Sequence, residues 1–269
     1  MNAPYYAPEQ HPDLIGLVER AIDLGVSGFI VADVGLLLAL QDHGMEATLH
    51  LSSVGSCLNG EALGFYRELG VQRVILPRSL SLKEIAGIAA SRKSIGDVEL
   101  EAFALNDGCA FEEGLCQTSH AHGGAFCQRD WKYRFFFSQD GTELPADAIG
   151  PLEEHRQDLR EWIWYLGGCG PSLSPRGIPN GPCGLCAVPD LKGMGIDVLK
   201  IAGRQASPLR KLASLQLLRA IVELTLQGRG KREIRVAARR FRDTKELCQS
   251  GYMCYYLEQE GKPQIAPSS

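Results

Sequence analysis

Gly28-Phe29-Ile30-Val31-Ala32-Asp33 is a continuous apolar run closed by a carboxylate, with helical spacing on either side of it. A strand buried on both faces reads this way, and such strands belong to parallel sheets. Upstream, Leu14, Leu17, Val18, Ala21 and Ile22 recur at helical spacing and stop at Gly25. Downstream, Leu36 to Leu40 reads as a short helix and Thr48-Leu49-His50-Leu51-Ser52 as the next strand. Leu58 to Leu69 is an amphipathic helix ended by Gly70, and Arg73-Val74-Ile75-Leu76 is a third strand. Leu82 to Ala90 and Val98 to Ala104 supply a further helix and strand. This βαβα rhythm with short loops predicts parallel strands joined by right-handed crossovers.

Between about 106 and 190 the rhythm gives way to a stretch rich in Gly, Cys, Pro and aromatics, with one helical segment from Leu152 to Leu166. It resumes at Asp197-Val198-Leu199-Lys200-Ile201. Ser207-Pro208 then reads as the N-cap and first-turn proline of a long helix to about Leu226, with another helix from Glu233 to Cys248. The expected architecture is one α/β domain over residues 1–269, a (β/α) TIM-barrel-like fold. It carries a Cys-rich irregular insertion at 106–190 and a C-terminal helical extension at 228–269. Five strands fall short of a closed barrel, so the barrel is incomplete or strands lie within the insertion.

A chain of 269 residues with 45% apolar residues can bury a full core, and its net charge of −4 gives no global basic field. The apolar runs are too short to span a bilayer, and the N-terminus lacks a secretion signal. Nine cysteines is an odd number, which argues against a disulfide framework. The expectation is a cytoplasmic protein with no membrane segment.

In such a chain the cysteines carry the chemical signal. Cys109, Cys116 and Cys127 crowd together, and Cys183-Gly184-Leu185-Cys186 follows, with Cys169 between. On one helix, the seven residues from Cys109 to Cys116 would separate the thiols by roughly 10 Å along the axis. Gly108 and Gly114 instead suit a looped ligand segment. An iron–sulfur cluster and zinc are the soft-metal readings, and only Cys183/Cys186 has the close pair spacing of a zinc ribbon. Buried apolar cysteines and a thioredoxin-like redox pair are the remaining alternatives.

Several stretches resemble the collagenase-like peptidase family U32. They are Gly25 to Gly35, Leu49-His50-Leu51-Ser52, Leu69 to Arg78, and Val98 to Phe103 followed by Cys109, Gly114, Cys116 and Ser119. Trp131-Lys132-Tyr133 and Leu199-Lys200-Ile201-Ala202-Gly203-Arg204 extend the resemblance in the family's order. Leu105-Asn106-Asp107 stands where the family has His-Gly, and Ala202 where it has Glu. The resemblance implies a barrel-like fold holding a [4Fe–4S] cluster on Cys109, Cys116, Cys127 and Cys183, with Cys186 as the alternative fourth ligand. It implies oxygen-independent hydroxylation of a small aromatic or RNA substrate, with prephenate as a hydroxyl donor for some members. It begins well inside family members, which implies a barrel lacking its first strands and an open edge that a homo- or hetero-oligomer would cover. A metal-stabilised, non-catalytic partner subunit and a peptidase, after the family's name, are the competing functions. No His-Glu-x-x-His or Gly-x-Ser-x-Gly motif supports the last.

Asp33, Ser52, Arg78 and Arg204 close or follow strands, where such folds place their sites. Arg78 and Arg204 could clamp a dianion such as prephenate, or pair with Asp33 or Glu101. His120 and His122 flank the Cys-rich segment and could be ligands or proton donors, although exposed loop residues are the favoured reading. Arg232, Arg235 and Arg239 share a helix face that could meet RNA phosphates, although a solvated face is the favoured reading. Cys248 and Cys254 read as packing residues, with a second metal centre as the remote alternative.

Overall fold

The computed structural model describes residues 1–109, 112–116, 134–166, 181–204, 206–243, 248–249, 251 and 253–256, apart from the side chains of 159–166. Five strands are present: β1 (Gly28–Val31), β2 (Thr48–Leu51), β3 (Val71–Ile75), β4 (Glu99–Leu105) and β5 (Val198–Ile201). They form one parallel sheet in the order β1-β2-β3-β4-β5. Helix α1 (His11–Asp23) precedes β1, and α2 (Val34–Asp42), α3 (Gly60–Glu68) and α4 (Leu82–Ile95) make the first three crossovers. Between β4 and β5 lie α5 (Ala146–Leu166) and α6 (Val188–Gly193), and α7 (Pro208–Leu226) and α8 (Lys231–Arg242) follow β5. Strands taken in sequence order, each joined to the next by a crossover, make half of a barrel.

All five strands fall where the apolar runs predict them. The last helix does not extend to Cys248: α8 ends at Arg242, because Asp243 adopts a left-handed conformation with φ of 51°. The insertion contains an unexpected helix, α6, whose Pro189 sits in its first turn. Much of the rest of the insertion, with Cys127, Cys169, His120, His122 and Trp131 to Tyr133, lies outside the described residues.

Caps fix the helix starts. Asp33 accepts from the Leu36 amide at 2.5 Å, Asn59 from Ala62 at 2.8 Å, and Ser207 from Arg210 at 3.3 Å. Ser81 and Glu84 form a reciprocal capping box at α4.

The two faces of the sheet differ sharply. Val31, Leu49, Leu51, Val74, Leu100 and Ala102 pack outward against α1 to α4 in the main core. The register aligns the intervening residues on the concave face: Ile30 with His50, His50 with Arg73, and Arg73 with Glu99. Charges there pair along the sheet. Arg73 meets Glu99 at 2.7 Å and Glu101 at 3.7 Å, and Lys200 donates to Glu101 at 2.8 Å. Burial pushes the His50 imidazole pKa down, and the Arg73 charge adds to the shift. A closed barrel fills this space with stacked side chains; here the described residues line it with paired charges.

Leu100 is fully buried at the centre of the outer face. Leu100→Ala is expected to lower stability by about 2–5 kcal/mol. Urea denaturation would measure it, and a loss below about 1 kcal/mol would show that this layer does not carry the core.

Candidate active site at the carboxyl ends of the strands

Five strand ends and the loop after β4 converge on one rim. Arg78 follows β3, and its guanidinium lies over the Phe103 ring of β4 at 3.9 Å. It forms a buried ion pair with Glu113, whose Oε2 also accepts from Ser53 Oγ at 3.0 Å. Burial alone would lower the Arg78 pKa, but Glu113, Tyr255 and Cys109 together outweigh it and the pKa rises. Neither Asp33 nor Glu101 is the partner of Arg78. Asp33 is committed to capping α2 and accepting from the Tyr6 amide at 3.2 Å, and Glu101 is held by Lys200 and Arg73.

The neighbouring Glu112 fastens the same loop. Its carboxylate accepts from Ser56 Oγ at 3.0 Å and Ser79 Oγ at 2.8 Å. Residues 112–116 are thereby bolted across the tops of β2 and β3. Gly114 permits the close approach, since a Cβ there would lie 2.7 Å from the Val54 carbonyl oxygen. Cys109 and Cys116 flank this acidic pair, the first exposed and the second half-buried. Cys109 is within electrostatic reach of Arg78.

At the end of β4, Asn106 and Asp107 are consecutive residues with positive φ, 68° and 45°. Strain of this kind persists only where surrounding contacts hold it. Asn106 Nδ2 donates to Ser214 Oγ at 2.9 Å, and its amide donates to the Pro182 carbonyl at 2.8 Å. The Tyr255 hydroxyl donates to the Asn106 carbonyl and lies 3.3 Å from that of Asp107. Asp107 Oδ1 sits 3.5 Å from Arg210. Burial raises the Asp107 pKa, opposed by Arg210 and Arg78.

The structure thus brings Arg78 and Cys109 together on this rim, with Cys116 on the adjoining loop. Arg204 follows Gly203 beyond β5 and is exposed. Cys127 lies outside the described residues. Cys183 and Cys186 lie on a turn beside the end of β4, where the Gly184 amide donates to the Ala104 carbonyl at 2.8 Å. Among the described residues, no three His, Cys, Asp or Glu side chains stand closely enough to hold a metal ion as placed. The donors that are described nevertheless suit a thiolate-bound centre: two thiols on one looped segment, beside a buried cation able to offset thiolate charge. On α8, Arg232, Arg235 and Arg239 are all exposed.

Sequence reasoning overlooked Glu112, Glu113, Asp107, Arg210 and Tyr255. The acidic pair had a local signal, two carboxylates set between two loop cysteines and followed by glycine. Arg210 and Tyr255 come from distant segments and have none.

Among the described residues no helix is long and apolar enough to cross a membrane. A curated relative, tRNA hydroxylation protein P of Escherichia coli K12, is 34% identical over 102 residues, covering 38% of this chain and 22% of that one. The Haemophilus influenzae protein of the same name is 32% identical over 153 residues, covering 53% and 31%. tRNA hydroxylation protein P1 of Bacillus subtilis is 29% identical over 192 residues, covering 69% and 40%. The matches thus span about a fifth to two fifths of these relatives' length. A solved U32 peptidase structure is 24% identical with a TM-score of 0.34, covering 44% of this chain and 49% of that one. The model of Peptidase family U32 matches residues 1–263, nearly the whole sequence, and the chain belongs to that family.

Proposed function

We propose that this chain takes part in hydroxylating tRNA without molecular oxygen, as an iron–sulfur protein. The observation that carries the reading is the placement of Cys109 and Cys116 around the Arg78–Glu113 pair, in a chain whose relatives are named for tRNA hydroxylation. From sequence alone RNA is the less favoured partner; the relatives' names move it to the front.

In this proposal Cys109, Cys116 and Cys127 hold a [4Fe–4S] cluster with a fourth thiolate from Cys183 or Cys186, and the cluster supplies one-electron chemistry. Arg78 and Arg204 orient an anionic hydroxyl donor, a dicarboxylate such as prephenate, by guanidinium–carboxylate pairing. Glu113 holds Arg78 in place, and the strained Asn106–Asp107 step sets the direction in which the loop carrying Cys109 leaves β4. The exposed arginines of α8 suit contact with tRNA phosphates.

The test is an anaerobic assay with the iron-loaded chain, tRNA lacking the modification, and prephenate, read by mass spectrometry of the nucleosides. A nucleoside gaining one oxygen is expected. No gain on tRNA that the protein binds, or an equal gain with Cys109→Ala, would remove the proposal.

A second reading is a partner subunit in a larger assembly. It is favoured by β1 and β5, each of which pairs along only one side among the described residues.

A further inference from the structure

Helix α7 is apolar on two sides. Leu217, Leu218 and Ile221 face inward, in a core cluster with Leu105 and Ile234. On another side Leu209, Leu212, Leu215 and Leu226 are 60%, 51%, 56% and 66% exposed. Among the described side chains no other helix exposes more than two large apolar residues. A helix that is apolar around most of its circumference is normally covered around most of it. Single leucines at a surface are ordinary, whereas a row of them along one element marks an interaction surface.

The spacing of the row carries more. Pro208, Leu212, Leu215, Arg219, Val222 and Leu226 follow one another at intervals of four, three, four, three and four residues. That is the a/d seam of a coiled coil, kept through the whole of α7. The 19 residues of the helix, at a rise of about 1.5 Å each, make the seam roughly 28 Å long. Its one charged residue is neutralised, since Arg219 Nε donates to Glu223 Oε1 at 2.6 Å.

Arg219 also decides how a second such helix can lie on the seam. Two copies packed parallel and in register would set Arg219 against Arg219, like charges in an apolar layer. Packed antiparallel about a dyad at Leu217, the layers become Pro208 with Leu226, Leu212 with Val222 and Leu215 with Arg219, each occurring twice. Arg219 then lays its aliphatic stem on Leu215 of the second copy and keeps its charge on Glu223 beside the seam. A twofold interface must be complementary to itself, and in this register the seam is.

We propose that this face of α7 is a homodimer interface, on which α7 of a second copy packs antiparallel. A strip roughly 28 Å long and about 10 Å wide falls short of the roughly 800 Å² per partner of a standard interface. The dimer therefore dissociates from about the micromolar range upward. The neighbouring face of α7 holds the candidate site: Ser214 accepts from Asn106 at 2.9 Å, and Arg210 sits 3.5 Å from Asp107. Pairing along α7 thus braces the strained end of β4 from outside. It uses neither the β1 nor the β5 edge, and it is independent of the hydroxylation reading.

Sedimentation equilibrium of the full chain, from about 1 μM to about 500 μM, tests the interface. The wild type is expected to pass from monomer to dimer across that range. Leu212→Glu sets a carboxylate against Val222 in an apolar layer and should weaken the dimer by about tenfold or more. Leu215→Glu instead faces Arg219 of the second copy and should keep the dimer or tighten it. Both leucines are exposed, so far-UV circular dichroism of the two variants should match the wild type. A monomer at every concentration would leave the seam to a different polypeptide or a lipid surface and overturn the proposal. A dimer indifferent to Leu212→Glu, or one weakened as much by Leu215→Glu as by Leu212→Glu, would overturn it too.

Discussion

Glu113→Ala is expected to destabilise the protein by about 3–5 kcal/mol, as truncating one member of a buried ion pair does. The glutamate side chain is 3% exposed and its partner Arg78 15%, so neither charge can turn to water when the other is removed. Alanine would leave a guanidinium buried against Phe103, and would also strip Ser53 Oγ of its acceptor. The loop at 112–116 would lose one of its two fastenings, Glu112 remaining. Replacing both partners by apolar residues of similar size, as in Arg78→Met with Glu113→Leu, should recover most of the loss, because the desolvation cost disappears along with the attraction. Urea denaturation of the two single variants and the double would measure this cycle. A loss below about 1 kcal/mol for Glu113→Ala would mean that water reaches the pair.

The second large effect falls on chemistry and leaves the fold intact. Cys109→Ala and Cys116→Ala are each expected to lower bound iron and oxygen transfer to tRNA by more than about 100-fold, since losing even an outer-shell partner of a metal ligand costs 10–100-fold. Stability should change little for Cys109→Ala, because that side chain is exposed and outside both core clusters. Cys57→Ala is the control with the opposite signature. Cys57 is fully buried in the main core, and burial pushes its thiol up to about 12, so it is neutral and inert. Its truncation should cost stability and leave iron unchanged. Iron analysis with denaturation on the three variants distinguishes the two roles. Iron retained in both Cys109→Ala and Cys116→Ala would end the cluster reading.

The sheet was legible because β2 to β4 alternate outward apolar residues with polar ones on the concave face; the unbroken run of β1 predicted burial on both faces, and Ile30 is instead exposed on the concave side. Ser207 marked the start of α7 through local capping chemistry, which sequence carries within four residues; the same chemistry at Asp33 and Ser81 went unread. The end of α8 was misread because Asp243 takes up the left-handed conformation that asparagine and aspartate tolerate, and nothing in the helical spacing reveals it. Arg78 was correctly placed at a strand end but given the wrong partners. Glu101 is nearer along the sheet, yet β5 brings Lys200 to it, and that pairing depends on a contact across 99 residues. Cys254 lies beside Cys183 only because the chain returns to the end of β4, a contact that local sequence does not carry.

From β1 to β4 every strand lies beside the one made just before it, whereas β5 rejoins β4 only after residues 106–197 have intervened. The first four can zip together as a growing polypeptide emerges, each needing only a short loop to close. Until β5 arrives, the newly made edge of β4 stands bare, an invitation to mispairing. Asp197 meets that hazard at the moment of docking, its carboxylate accepting the Leu100 amide at 2.8 Å while Arg92 holds it from the neighbouring helix. Of the four strand pairings, that of β4 with β5 therefore closes the longest intervening chain and carries the largest loop-closure entropy.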